Sequence, residues 1–560
     1  MNAPERPTDA ARSALLTDLY QLTMLQAYES AGMRGEASFE LFFRRLPARR
    51  GFVMAAGLEP ALDWLETMRF RRDELDWLTA TGRFKPELIT MLRTLRFTGE
   101  VAAVPEGTIV FPGEPILRVT APIAQAQFVE SRLLNLIHAH SLIASKAARC
   151  VLAAPDTRLI EFGLRRAHGA EAAMIAARAS VIAGFDASAN VLAGRVDGIA
   201  LAGTMAHSFV LAHEAEALAF EHFGEANPGN VAFVIDTYDI EQGAHRAVAA
   251  AEQLARSGIR LQAVRIDSGD LAMMSRRVRA ILDSAGLQQV RILASGDLDE
   301  WRIAALRAAG SPIDAFCIGT ALSTSADAPS IDFAYKLVEY EGRACAKRSP
   351  DKATLPGRKQ VWRRHGPQGW IDADVITRDD EPAPSIANGV CALTGGPGAA
   401  MTLNESRLPA TSMVWQPLMA TVMRAGRRVR AAPSLESIRQ HAAAQLRSLP
   451  PGLRTLSATG NPPVRFSERL RADAAALHQR ATDFSSRFAA ITAGAPTPRP
   501  RLPLTEPVSR RERESAPVLV SSHGQPVNPP MPTRQDLSRP QPDPADRRSR
   551  AKPRPPAGIR

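Results

Sequence analysis

Residues Ala263 to Asp297 read AVRIDSGDLAMMSRRVRAILDSAGLQQVRILASGD, and their reading decides the fold. A short run rich in apolar residues, Ala263 to Ile266, breaks into a polar turn, Asp267-Ser-Gly-Asp270. From Leu271 the apolar side chains recur at three- and four-residue spacing, as in an amphipathic helix, until Gly286 stops it. A second short run, Val290 to Leu293, then breaks into Ser295-Gly296-Asp297. Strand, helix and strand in this succession predict a parallel βα unit.

The pattern repeats outward from this stretch. Upstream, Arg158 to Glu161 precedes Phe162-Gly163, Gly198 to Ala202 precedes Gly203-Thr204, and Val231 to Ile235 precedes Asp236-Thr237. Downstream, Ala315 to Ile318 runs into Gly319-Thr320. Gly258 and Gly310 stop the intervening helices as Gly286 does, because glycine enters the left-handed region at little cost. Six such units, with acidic, hydroxyl and glycine residues gathered at the strand ends, predict an α/β fold: an irregular β/α barrel with its site on the carboxyl rim. An open doubly wound sheet is the alternative. No GxGxxG or GxxxxGK[ST] motif follows these strands, which argues against a Rossmann dinucleotide site and a P-loop.

The flanks differ. A helical opening, Thr17 to Ser30, leads to strand-like segments at Ala37 to Phe43 and Thr108 to Val119; short strands and turns resume from about residue 330, and Pro433 to Leu446 predicts a helix. The expected organisation is a second α+β domain built from residues 1–122 and 336–490, around a barrel at 123–335, with a tail at 491–560.

Composition sets the bounds. The 560 residues, 45% hydrophobic and 23% charged, suffice for a large core. No apolar run approaches the roughly 20 residues of a spanning helix, and Met1 to Arg12 is polar, so a cytoplasmic, non-membrane protein is expected. Cys150, Cys317, Cys345 and Cys391 form no CxxC pair, which predicts neither a zinc site nor a disulfide framework. The net charge of +11 is concentrated: Pro496 to Arg560 holds 13 Arg or Lys against 6 Asp or Glu, together with 16 of the 42 prolines. Such a segment cannot offset the entropy of ordering, so a disordered tail is expected, and the basic surplus is no signature of nucleic-acid binding by the folded part.

The strand ends carry the chemistry. Asp267 and Asp270 could bind a metal, hold a ribose diol or orient a base, although DSGD is also an ordinary turn and helix cap. Arg265 lies two residues earlier on the same strand and hence on the same side. Ser295-Gly296-Asp297 and Gly319-Thr320-Ala-Leu-Ser-Thr-Ser325 offer backbone amides and hydroxyls after successive strands, an arrangement suited to a monophosphate. Phe162 beside Arg165 and Arg166 suits a flat anionic ring, which stacks while its carboxylate meets guanidinium groups. His207, after Thr204, can relay protons or accept a phosphoryl group, with cations expected around it.

Taken in order, Thr17-Asp-Leu-Tyr-Gln-Leu-Thr-Met24, Glu161-Phe-Gly-Leu-Arg-Arg166, Gly184-Phe-Asp-Ala-Ser-Ala-Asn190, Gly203-Thr-Met-Ala-His207, Asp236-Thr-Tyr-Asp239, Arg265-Ile-Asp-Ser-Gly-Asp270, Gly319-Thr-Ala-Leu-Ser-Thr-Ser325 and Leu355-Pro-Gly-Arg-Lys359 resemble the nicotinate phosphoribosyltransferases, over about residues 13–470. The resemblance implies a type II phosphoribosyltransferase that joins nicotinate to phosphoribosyl pyrophosphate with Mg2+. It implies an ATP-dependent ligase, with ATP as co-substrate and His207 as phosphohistidine, and a head-to-tail homodimer with shared sites. It implies that Phe162 and the neighbouring subunit's Tyr20 sandwich the pyridine ring. Arg165 would lie near ring and pyrophosphate, Arg265 and Asp267 at ribose and substrate, and Gly296, Gly319 and Thr320 at the 5′-phosphate. The Mg2+ ligands are not implied. Ser141 and His168 depart from the threonine and glutamine expected at their places. The rivals are a related transferase for nicotinamide or quinolinate and a non-catalytic barrel that binds phosphorylated metabolites.

Overall fold

The computed structural model describes residues 11–349, 352–384, 414–458, 464–477 and 479. The expected tail and Cys391 lie outside the described residues.

Six parallel strands form the central sheet: β1 (Arg158–Glu161), β2 (Ala187–Ser188), β3 (Ala232–Val234), β4 (Ala263–Ile266), β5 (Arg291–Ala294) and β6 (Ala315–Ile318). Their order is β2-β1-β6-β5-β4-β3, a curled half-barrel with β2 and β3 at its two edges. β1, β4 and β6 coincide with the runs read from sequence. The expected strand Gly198 to Ala202 is instead a single bridge, Leu201 to Ser188, and the edge strand is Ala187–Ser188. The helix Val191–Asp197 ends on Gly198 in the left-handed conformation, which leaves little chain for pairing. Ala187–Ser188 lacks the β-branched and aromatic residues that mark strands.

Three helices that follow strands share one construction. Ile240–Ala255, Leu271–Ser284 and Glu300–Ala308 are capped by the side chains of Asp239, Asp270 and Asp299, which accept from first-turn amides. At their other ends Gly258, Gly286 and Gly310 take φ of 75°, 75° and 63°. Each glycine lets the next residue's amide reach back to close the helix: Ile259 to Leu254, Leu287 to Leu282 and Ser311 to Leu306.

The inner face of the sheet carries small residues, Ala187, Ala232, Ala263 and Ala315, with Ile160, Leu293 and Cys317. Barrels filled by bulky branched layers are solid. Alanine at four positions instead leaves a chamber of about 200 Å³ beneath Phe162 and Thr204.

The second domain draws on both ends of the chain. Its antiparallel sheet runs, in spatial order, through Arg343–Ala344, Phe333–Tyr340, Glu36–Phe43, Leu117–Pro122, Glu100–Ala103, Ala420–Arg424 and Arg427–Arg428. The 24-residue helix Glu130–Ala153 joins the two cores. Leu133, Leu136 and Leu142 pack in the flanking core, whereas Ile143, Ala144 and Ala147 pack in the barrel core. Ser141, one of the two departures, is a tie within this junction: its hydroxyl accepts from the Ala56 amide at 3.0 Å and donates to the Ala56 carbonyl at 3.2 Å. No helix among the described residues is long and apolar enough to cross a membrane.

Candidate active site

The turn after β4 divides its two carboxylates between two tasks. Asp270 caps the following helix, accepting from Ala272 and Met273 amides at 3.0 and 3.1 Å, so the ordinary reading of this residue holds. Asp267 faces the mouth of the half-barrel, where its Oδ1 accepts from the Ser295 hydroxyl. Asp236, after β3, has a buried carboxylate that braces the turn from the side. Its Oδ2 accepts from the Asp267 amide at 3.1 Å and the Ser268 hydroxyl at 2.6 Å.

His207 opens a short helix, His207–Leu211, and turns its ring to these carboxylates. Its Nε2 lies 3.7 Å from Asp267 Oδ2 and 3.9 Å from Asp236 Oδ1, and its Nδ1 is 3.1 Å from Thr237 Oγ1. The charged groups paired with the ring are therefore acids, not the expected cations. Sequence order could not show this, since strands β3 and β4 bring the acids there from thirty and sixty residues away.

Arg265 projects from β4 beneath the rim, nearly buried. One nitrogen donates to Thr204 Oγ1 at 2.8 Å, while the buried Nε has no hydrogen-bond partner among the described residues. Asp236 Oδ1 and Ser323 Oγ share that condition. Because buried polar groups are nearly always satisfied, orphans gathered at the strand ends mark a place built for a polar ligand.

The two glycine loops lie side by side on β5 and β6. Gly296 is required twice over: its φ is 86°, and a Cβ there would meet the Asp267 carbonyl oxygen at 2.0 Å. Asp297 follows in the left-handed region at φ 45°. The amides of Gly296 and Asp297 make no backbone hydrogen bond among the described residues. Gly319 packs against the Phe162 carbonyl and leads into Thr320–Ser323, which is only four residues long, so exposed amides and hydroxyls, rather than a helix dipole, are what this loop offers an anion.

Phe162 is tied to β6 by its amide, which donates to Ile318 O at 2.8 Å. Arg165 and Arg166 follow on a 3-10 turn, Leu164–Arg166, both exposed. Glu161 and Ser188 are positioning residues that the sequence reading passed over. The buried Glu161 carboxylate accepts from the Gly163 amide and from Ser188 Oγ at 2.5 Å, which fixes the turn beneath Phe162. Burial raises the Glu161 pKa, and those hydrogen bonds oppose the rise. A carboxylate ending a buried strand was the available signal.

Tyr20 is not brought to this mouth by its own chain's contacts. It lies half-exposed on the helix Leu19–Ser30, where burial and the nearby Glu130 push its hydroxyl up to about 12.

Among the described residues no three His, Cys, Asp or Glu side chains gather as a metal cage. The uncommitted oxygens Asp236 Oδ1 and Asp267 Oδ2 nevertheless suit Mg2+, which commonly takes one or two carboxylates plus substrate phosphate oxygens. Cys150 and Cys317 are buried free thiols, and burial raises the pKa of both.

Comparison with known proteins bears on the family and the fold. The models of the nicotinate phosphoribosyltransferase N-terminal and C-terminal domains match residues 15–138 and 358–473. A nicotinate phosphoribosyltransferase of Mycobacterium tuberculosis is 44% identical over 471 residues, 84% of this chain and 95% of that protein. One from Bacillus subtilis is 42% identical over 358 residues, 62% of this chain and 73% of that protein. The crystal structure of human nicotinic acid phosphoribosyltransferase aligns with a TM-score of 0.72 at 32% identity, covering 82% of this chain and 99% of that one. The half-barrel, its rim and these relatives together show that the chain belongs to the nicotinate phosphoribosyltransferase family.

Proposed function

We propose that this protein transfers the phosphoribosyl group of phosphoribosyl pyrophosphate to nicotinate, yielding nicotinate mononucleotide and pyrophosphate, as a cytoplasmic step of NAD salvage. The observation that carries the reading is the convergence of Arg265, Asp267, Asp236 and His207 with two glycine loops on one strand-end rim. The pyridine nitrogen attacks C1′ of the ribose with its own lone pair, and the C1′–O bond to pyrophosphate breaks. Positive charge grows on the ribose, near the carboxylates of Asp236 and Asp267, while negative charge grows on the leaving group. Arg265, whose Nε has no hydrogen-bond partner among the described residues, and the exposed Arg165 would meet that negative charge. Bound Mg2+, held by Asp236 and Asp267, would supply further charge neutralisation on the pyrophosphate oxygens. The loops at Ser295 to Asp297 and Gly319-Thr320 take the 5′-phosphate.

ATP enters through His207. Carboxylates beside Nε2 favour the tautomer protonated there, which leaves the lone pair on Nδ1 as the nucleophile for the γ-phosphoryl group, with ADP leaving. Water later cleaves the N–P bond and releases phosphate. The working molecule is a homodimer. Leu16, Leu19 and Tyr20 on one surface, and Leu164, Leu201, Phe209 and Leu211 on another, are large apolar side chains left exposed in the single chain. A head-to-tail pair would cover both sets and bring the partner subunit's Tyr20 over Phe162.

The test is an assay of the purified protein with nicotinate, nicotinamide and quinolinate, each with phosphoribosyl pyrophosphate, with and without ATP. Nicotinate should be strongly preferred, because a neutral amide leaves a guanidinium unmatched. Equal or better use of nicotinamide or quinolinate overturns the assignment.

A further inference from the structure

Lys146 stands on the long helix Glu130–Ala153, outside the strand-end site, and its ammonium is almost wholly buried. One atom, Nζ, lies 2.5 Å from Glu300 Oε2 and 2.7 Å from Asp327 Oδ1. Those two acids occupy matching places. Glu300 follows the Ser295 to Asp297 loop by three residues, and Asp327 follows the Gly319 to Ser325 loop by two. A single lysine thus ties together the far ends of both candidate phosphate loops.

Two arginines complete the cluster. Arg149, one turn further along the helix, donates from Nε to Glu300 Oε1 at 2.8 Å and from its other nitrogens to the Arg49 and Leu456 carbonyls. Arg50 pairs with Asp327 at 3.0 Å and donates to Ser325 Oγ at 2.8 Å, which pins a non-glycine residue at φ 45°. Burial opposes charge on Asp327, yet Arg50 and Lys146 overcome it and hold its pKa down to about 2.

A buried ion cluster contributes little stability over well-packed apolar residues of the same volume, so what distinguishes this one is the pair of loop ends it holds together. We propose that Lys146 is a positioning residue for the phosphoribosyl donor: it fixes the spacing of the two loops that grip the 5′-phosphate and so sets the affinity for phosphoribosyl pyrophosphate. The inference rests on the assignment of those loops to the phosphate.

The test compares Lys146→Met, which keeps the length and removes the charge, with Asp327→Asn and Glu300→Gln, which keep the shape, and with Thr320→Val in the loop itself. KM for phosphoribosyl pyrophosphate and for nicotinate are measured separately, with dissociation constants for ribose 5-phosphate by calorimetry. In Lys146→Met the donor KM and the ribose 5-phosphate dissociation constant should rise by about 10- to 100-fold, the size expected for a displacement near 1 Å, with nicotinate KM changed less than about twofold. Asp327→Asn and Glu300→Gln should move the same two constants in the same direction by smaller factors. If Lys146→Met does not fold, these two variants decide alone. A purely structural role would lower the yield of active protein and leave both KM values in place, and that result overturns the proposal. If Thr320→Val also leaves ribose 5-phosphate binding intact, it is the phosphate assignment of the loops that has failed.

Discussion

The proposed mechanism gives Arg265 and His207 separable contributions at one rim. Arg265 would meet the donor through a planar fork already oriented by Thr204, so Arg265→Lys keeps the charge and loses the geometry. We expect kcat/KM to fall by about 100-fold with the melting temperature nearly unchanged, read from steady-state kinetics beside a thermal melt. His207→Ala or His207→Asn should abolish ATP hydrolysis and the stimulation of transfer by ATP while leaving a residual ATP-independent reaction. Acid-labile label from γ-labelled ATP, present on the wild type and absent from the variant, checks the assignment. Equal labelling of both removes His207 from the role. At this scale the sequence was informative about identity and weak about surroundings. The histidine and both aspartates were visible at strand ends, yet the ring's acidic neighbours were not, because their meeting depends on which strands adjoin.

Among elements, the long helix Glu130–Ala153 is the most consequential. Its His140 is fully buried, with Nδ1 2.8 Å from the Leu136 carbonyl. Burial first, and then the charge of Arg178, lower its pKa to about 4, against the opposing influence of Glu106 and Glu171. A histidine whose folded pKa is depressed supports stability above its unfolded value, near 6.5, and that support is lost as pH falls toward 4. The loss should reach on the order of 3 kcal/mol at full protonation. His140→Gln should therefore show a flatter decline in melting temperature than the wild type between about pH 6.5 and 4.

The helices Ile240–Ala255, Leu271–Ser284 and Glu300–Ala308 were legible because each runs into a glycine stop, which is a local signal. Strands β1, β4 and β6 were legible as runs of apolar residues. Ala187–Ser188 was not, since a two-residue edge strand of small residues acquires its identity only from the pairing of Ile160 and Glu161 beside it. The segment Gly198 to Ala202 misled for the complementary reason: it is apolar enough for a strand but has a single bridge to offer.

For the whole molecule, the proposed shared-site dimer makes a quantitative claim. On that pairing Tyr20→Ala should damage the site of the partner, whereas Arg265→Lys should damage the subunit's own. Coexpressed in equal amounts, the two inactive variants should form mixed dimers with one intact site each and recover about a quarter of wild-type activity. No recovery would place Tyr20 and Arg265 in the same site of one chain. Removing the residues beyond about 490 should leave activity and melting temperature nearly unchanged, since that proline- and arginine-rich composition offers a core no apolar surface. A large loss of either would show that the composition was misread.

The flanking sheet pairs Glu36–Phe43 with Phe333–Tyr340, and Glu100–Ala103 with Ala420–Arg424. During synthesis the first of these strands must therefore wait, unpaired on that edge, until the ribosome has delivered residues some three hundred positions later. The half-barrel strands, β1 to β6, emerge entirely within that interval and pair among themselves. Their folding can run ahead, leaving an aggregation-prone strand edge open until the last partners arrive. The order of translation thus makes the half-barrel the template on which the flanking sheet is finished, and a chain halted before residue 420 would hold all six half-barrel strands beside a sheet that still lacks its last two, Ala420–Arg424 and Arg427–Arg428.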